Sequence, residues 1–183
     1  MTERPNLPIA HFTAGAEGVW QITSVSEFRG PGLPSAERLS ISDAPSAGAW
    51  TLRGTGSHLR YTTAPERTTL LAKQEGLGRP SATRAALLPI RKSAEWWALA
   101  QDERRAVYEH GSHLPIGLDY LPGVARKLYH SRDLGEDFDF LTWFEFAPDQ
   151  EAEFDDMLVR LRACAEWEFV DREVDVRLTR LPG

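Results

Sequence analysis

The hydrophobic positions change their period near residue 84. Before it they recur in short alternating runs broken by turn residues. Over residues 19–25, Trp20 and Ile22 share one face and Gln21 and Thr23 the other, as in a half-buried strand. Val19 and Val25 fall on the polar face at the two ends, so the alternation is imperfect. Gly30-Pro31-Gly32 stops that run. Leu39-Ser40-Ile41, Trp50-Thr51-Leu52 and Leu59-Arg60-Tyr61-Thr62 predict further strands, with a small-residue loop at 44–49. The Gly/Pro/Ser-rich stretch 76–82 reads as a flexible segment or as the rim of a site.

After residue 84 longer patterns take over. Residues 85–90 form a short apolar run suited to a buried strand. Ser93 is placed to cap a helix carrying Trp96, Trp97 and Leu99, and Asp102 starts or continues a helical stretch to His110. Pro115 and Gly117 interrupt it, and a further helix is predicted around 120–130, kinked or started near Pro122. Phe138, Phe140, Thr142, Phe144 and Phe146 then share one face of a strand, with Asp139, Leu141, Trp143 and Glu145 on the other. Pro148 and Asp149 open a helix in which Phe154, Leu158 and Leu161 recur at helical spacing. A last strand at 169–178 alternates Val170, Val174, Val176 and Leu178 with charged neighbours, with a slip at Arg172. Such an order predicts an α+β fold of ferredoxin-like type, an antiparallel sheet with helices on one face. The expected division is a strand-rich part at 1–84, either extending the sheet or forming a truncated second unit, and a main unit at 85–183.

Composition narrows the setting. A net charge of −6 disfavours nucleic-acid or anionic-membrane partners, which need a dense basic surface. Cys164 is the only cysteine, so an intramolecular disulfide and thiolate metal sites are excluded. No C-x-x-C-H occurs, so any haem would be held without thioether links. Residues 1–10 lack a signal-peptide core, and no window approaches the roughly 20 apolar residues of a bilayer span. A reduced, cytoplasmic setting is the simplest expectation.

Candidate chemistry is sparse. His110 and His113 form an H-x-x-H pair that on one helix could bind a metal, although Pro115 follows closely; a surface histidine beside a structural one is the plain alternative. Trp96 and Trp97, adjacent, cannot both face one core; they suit packing, or a wall against a flat aromatic ligand. Arg91-Lys92 reads as a solvated strand end or as a clamp for a ligand carboxylate. Glu166 and Glu168 read as a solvated edge, or as a buried carboxylate orienting a histidine. Cys164 reads as a small buried hydrophobe.

The stretch His113-Leu-Pro-Ile-Gly-Leu-Asp-Tyr120-Leu-Pro-Gly-Val124-Ala-Arg126-Lys-Leu-Tyr129-His130-Ser131 resembles the core segment of the chlorite dismutase family. The strand Phe138-Asp-Phe-Leu-Thr-Trp-Phe-Glu145 and the upstream Pro89-Ile-Arg-Lys92-Ser-Ala-Glu-Trp96-Trp97 are similar to the same family. The likeness is good over the second half and poor over the first third, and the short length looks like the compact, dimeric branch. It implies a dimeric α+β barrel type of fold and a non-covalent haem b whose iron His113 ligates. Arg126, at the H-x(12)-R spacing, would work in the opposite pocket. Glu166, or failing that Glu168, would accept a hydrogen bond from the ligand histidine. Lys92, Trp96, Arg60 and Tyr61 would sit at the haem propionates, and Gln74 on the distal wall. The implied activity is decomposition of chlorite to chloride and dioxygen through a ferryl and hypochlorite pair, in a homodimer. A coproheme decarboxylase-like or peroxidase-like haem enzyme and a non-catalytic haem-binding module are the alternatives.

Overall fold

The computed structural model describes residues 8–56, 68, 76–110 and 113–183, Leu114 in its backbone alone. The strand predicted at 59–62, with Arg60 and Tyr61, lies outside the described residues, as does Gln74.

Among the described residues eight strands, all paired antiparallel, close into a barrel. They are β1 (Ile9–Gly15), β2 (Trp20–Arg29), β3 (Arg38–Ser42), β4 (Trp50–Gly56), β5 (Arg84–Lys92), β6 (Ala125–His130), β7 (Phe140–Phe146) and β8 (Val170–Arg180). Around the barrel they run β1-β3-β2-β8-β5-β7-β6-β4, and β4 returns to β1. Helices α1 (Ala94–Ala98), α2 (Gln101–His110) and α3 (His113–Asp119) join β5 to β6, and α4 (Glu151–Arg162) precedes β8. The expected mixture of helices with an antiparallel sheet is present, and the sheet closes on itself.

The barrel interior holds one core, built from Phe12, Trp20, Leu39, Leu52, Leu87, Tyr129, Leu141, Trp143 and the valines of β8 from Val174 onward, among others. A second core lies between the outer face of β5 and β7 and helix α4: Ala86, Leu88, Phe144 and Phe146 meet Phe154, Met157, Leu158 and Leu161. β5 and β7 are thus covered on both sides, which is why they read as nearly continuous apolar runs. Phe154 stacks on Phe146 at 4.5 Å. Each such side chain contributes roughly 1.5–3 kcal/mol by leaving water.

Bulges explain the broken alternations. Ile22 pairs with Leu178 but Ser24 with Arg177, so Thr23 is an extra residue. The phase flips there, and Val25 packs against the interior core that its parity denied it. In β8 Arg172 pairs with Arg91 and Val170 with Lys92, leaving Asp171 extra, one residue from the predicted slip. Val170 accordingly joins the helix-side core while Val174, Val176 and Leu178 point inside.

One element differs from expectation. The segment predicted as a helix at 120–130 is strand β6, and the helix comes earlier, at α3. β6 pairs with β7 along its whole length and with the end of β4, filling the gap that closes the barrel. Those ladder bonds, to the next strand β7 and to β4 in the first part of the chain, outweigh local helical preference. Pro115 is tolerated because it sits in the first turn of α3, where backbone N–H groups have no helical partner.

Candidate functional site

The buried polar groups of the second half converge where β5 ends, α3 begins and β8 is entered. Ser93 terminates β5 and caps α1, its Oγ accepting from the Trp96 N–H at 3.3 Å. This leaves Lys92, the last residue of β5, pointing inward with 5% of its surface exposed. Its Nζ donates to Glu166 Oε1 at 2.6 Å and lies 4.5 Å from the Trp96 ring centre. Glu166 sits in a 3₁₀ turn, Ala165–Phe169, that leads into β8. Its other oxygen, Oε2, lies 2.8 Å from Nδ1 of His113, the first residue of α3. That contact is close but bent, short of the linear geometry of a strong hydrogen bond.

Of the two carboxylates, Glu166 is buried and Glu168 exposed. A 3₁₀ turn has three residues per turn, so positions two apart point to different faces. Burial alone would push the Glu166 carboxyl up, but the His113 ring and then the Lys92 ammonium overcome it and hold it at about 2. Burial pulls the Lys92 ammonium down by more than Glu166 raises it. The pair is therefore asymmetric: the carboxylate is firmly ionised, and the lysine is retained as its counter-ion at a desolvation cost.

His113 stands between two aromatic rings, Tyr108 at 4.9 Å and Trp167 at 5.9 Å, the latter nearly parallel at 23°. Its side chain is 14% exposed. Nδ1 faces Glu166, so the other ring nitrogen, Nε2, is the one available to a ligand. His110 is not its metal-binding companion. It closes the separate helix α2, with Nδ1 on the Ala106 carbonyl at 2.7 Å. Among the described residues no three His, Cys, Asp or Glu side chains converge to hold a metal ion. The donor set is therefore one imidazole with a carboxylate behind it, which fits a haem iron needing a single ligand from the protein.

Arg126 lies in β6 opposite Phe144, whose side chain belongs to the helix-side core, so the arginine faces the helices and not the barrel interior. Burial lowers its pKa, while Tyr108 and Glu166 act on it from the negative side.

Two more of the predicted residues are buried. Lys92 was expected at the edge of a ligand, facing its carboxylates, but its ammonium is engaged by Glu166. Trp96, expected beside it at the same edge, is 4% exposed and packs against Phe169, Tyr108 and Lys92. Trp97 turns the other way, stacked on Phe140 with the Arg132 guanidinium 4.0 Å from its ring. Cys164 is buried, and burial raises its thiol pKa. The stretch 76–82 is tied to the barrel, with the Gly78 N–H donating to Glu145 and Arg79 to the Gly123 carbonyl.

Sequence reading missed three residues. Asp139 accepts from the Lys92 N–H at 2.7 Å, the Trp97 indole at 3.2 Å and Arg132 at 3.1 Å, holding the end of β5. Tyr108 and Trp167 flank the histidine. Only the adjacency of Trp167 to Glu166 could have signalled one of them.

The family model for chlorite dismutase matches residues 36–181, a range that includes every site residue named here. The chain belongs to the chlorite dismutase family. Over 61 residues this family member is 43% identical to the chlorite dismutase of Ideonella dechloratans, a match spanning 33% of this chain and 20% of that relative. The dimeric chlorite dismutase of Nitrobacter winogradskyi superposes with a TM-score of 0.89 at 52% identity, covering 93% of this chain and 99% of that one. A chlorite dismutase of Candidatus Nitrospira defluvii in complex with imidazole gives 0.58 at 30% identity, covering 77% and 56% respectively. The family member thus spans about half of the Nitrospira chain and essentially all of the Nitrobacter one.

Proposed function

We propose that this chain is a haem b enzyme that decomposes chlorite to chloride and dioxygen. The observation that carries the reading is the buried Glu166 carboxylate on Nδ1 of His113, which leaves Nε2 as the donor for iron. When bound, the haem supplies an iron centre able to take an oxygen atom from chlorite. The carboxylate at Nδ1 keeps the proton on that nitrogen and increases the electron density His113 can donate through Nε2. Lys92 balances the buried negative charge of Glu166. Arg126, with its planar cationic guanidinium, would bind the chlorite anion and retain hypochlorite until the oxygen–oxygen bond has formed. Tyr108 and Trp167 hold the ring plane of His113 between them. Without an arginine, decarboxylation of a haem precursor would be the better reading; Arg126 favours chlorite.

The fold reading goes with it. The order β8-β5-β7-β6 is the fourth, first, third and second strand of a strand–helix–strand–strand–helix–strand unit, the ferredoxin-like arrangement. The order β4-β1-β3-β2 repeats that permutation. This supports a main unit at 85–183 and a reduced second copy at 1–84. Likeness to a dimeric relative over nearly the whole chain supports a homodimer. No helix among the described residues is long and apolar enough to cross a membrane, and the single cysteine suits a cytoplasmic setting.

The test is a visible spectrum of the protein reconstituted with haem b, followed by oxygen-electrode measurement on adding chlorite. The parent should show a haem spectrum and evolve oxygen, and His113→Ala should lose the parent spectrum. A parent that binds no haem, or a His113→Ala chain with unaltered haem affinity and spectrum, would defeat the reading.

A further inference from the structure

Arg29 ends β2 in the first part of the chain, far in sequence from the site. Glu27 pairs with Val174 and Arg29 with Glu173, so Phe28 is an extra residue in β2. Without that bulge Arg29 would share the face of Val25 and Glu27; with it, the side chain turns to the helix side, where Glu173 also points. Both members of this rung then grip one residue. Arg29 Nη1 donates to the carbonyls of Trp167 at 2.6 Å and Val170 at 2.9 Å. Glu173, fully buried and held by Arg162 at 2.7 and 2.9 Å, accepts the Trp167 indole N–H at 2.6 Å. Trp167 is thus fixed at its backbone and at its ring tip, and it is the covalent neighbour of Glu166.

We infer that the Arg29–Glu173 rung is a clamp that sets the contact between Glu166 and His113, and that Arg29 is a positioning residue of the site. The inference rests on the reading of His113 as the iron ligand for its functional consequence, though not for its geometry. The Nδ1 to Oε2 separation is 2.8 Å and already bent, so a backbone shift of about 0.4 Å at residue 166 would take it to the outer limit of a hydrogen bond. Trp167 lies parallel to the imidazole, so any release of the turn moves the carboxylate and the stacked ring together. The part of the chain outside the main unit would thereby tune the histidine.

The test uses the haem-free chain first. Ring ¹⁵N shifts of His113 are measured in the parent, in Glu166→Gln as the endpoint with no carboxylate, in Arg29→Met, and in the double variant. The expected result is an Arg29→Met Nδ1 shift displaced from the parent toward the Glu166→Gln value, with no added displacement in the double variant. In the haem-loaded proteins the midpoint potential should rise in Arg29→Met, by less than in Glu166→Gln. An Nδ1 shift equal to the parent's in a folded Arg29→Met chain, or displacements that add in the double variant, would show Arg29 to be structural only and overturn the inference. If Arg29→Met does not fold, Arg29→Gln keeps a donor too short to reach both carbonyls, and an unshifted Nδ1 there overturns it equally. Failure of every variant and the parent to bind haem would sink the proposed function while leaving the ¹⁵N comparison valid.

Discussion

Replacing Glu166 by glutamine keeps the shape of the side chain and removes its charge. Lys92 Nζ, at 2.6 Å with its side chain 4% exposed, then has an amide oxygen in place of a carboxylate. Breaking a buried pair by removing one charge costs roughly 3–5 kcal/mol, because the remaining ion is left desolvated. The depressed Glu166 carboxyl gives a second route. Glu166 has a folded pKa of about 2, against about 4.3 in an unfolded chain, which corresponds to about 3 kcal/mol. The sign is that of a depressed acid: the stabilisation is full above the unfolded value and is lost as pH falls through the folded one. This second figure includes the His113 ring first and Lys92 after it, and is of the same order as the pair alone. Urea denaturation of the haem-free chain should therefore show Glu166→Gln less stable than the parent by about 3 kcal/mol at pH 6–7, with the gap closing as pH falls from about 5 to 2. Lys92→Met combined with Glu166→Gln removes both charges and should recover most of the loss. A cost below about 1 kcal/mol, the range of exposed pairs, or a gap that stays constant with pH, would refute this account of the buried pair.

Glu166→Gln should also weaken haem retention or activity by about 10–100-fold, the usual effect of losing the partner of a metal-bound histidine, whereas exposed Glu168→Gln should leave both unchanged; a haem titration distinguishes them. Arg126→Ala removes a charge-assisted interaction worth on the order of 1.5–3 kcal/mol, so oxygen evolution should fall by roughly one to two decades. The variant should also leak hypochlorite, seen as a lower oxygen yield per chlorite and as oxidation of added methionine; parent-like rate and yield would remove Arg126 from the site. Phe154→Ala opens a cavity between α4 and the outer face of the barrel and should cost about 3–5 kcal/mol in denaturant melts. Light scattering at micromolar concentration should give a dimer mass, and a monomer would count against the homodimer.

What could be read along the chain was what depends on near neighbours. The helical spacing of Phe154, Leu158 and Leu161, the Ser93 cap and the apolar run of β5 each rest on contacts within a few residues or on one face per period. The spacing of His113 and Arg126 was equally legible, as a motif. The tertiary structure decided the rest. Residues 125–130 are a strand because β7 and β4 present open edges to them, and no local signal encodes an edge supplied by distant segments. Bulges at Thr23, Phe28 and Asp171 reversed which face later residues occupy, since a single inserted residue exchanges inside for outside in a period of two. The choice of Glu166 over Glu168 followed from the rotation of a 3₁₀ turn pressed against α2. Lys92 is paired with Glu166 because burial of its ammonium, imposed by the end of β5, requires a nearby carboxylate to pair with it.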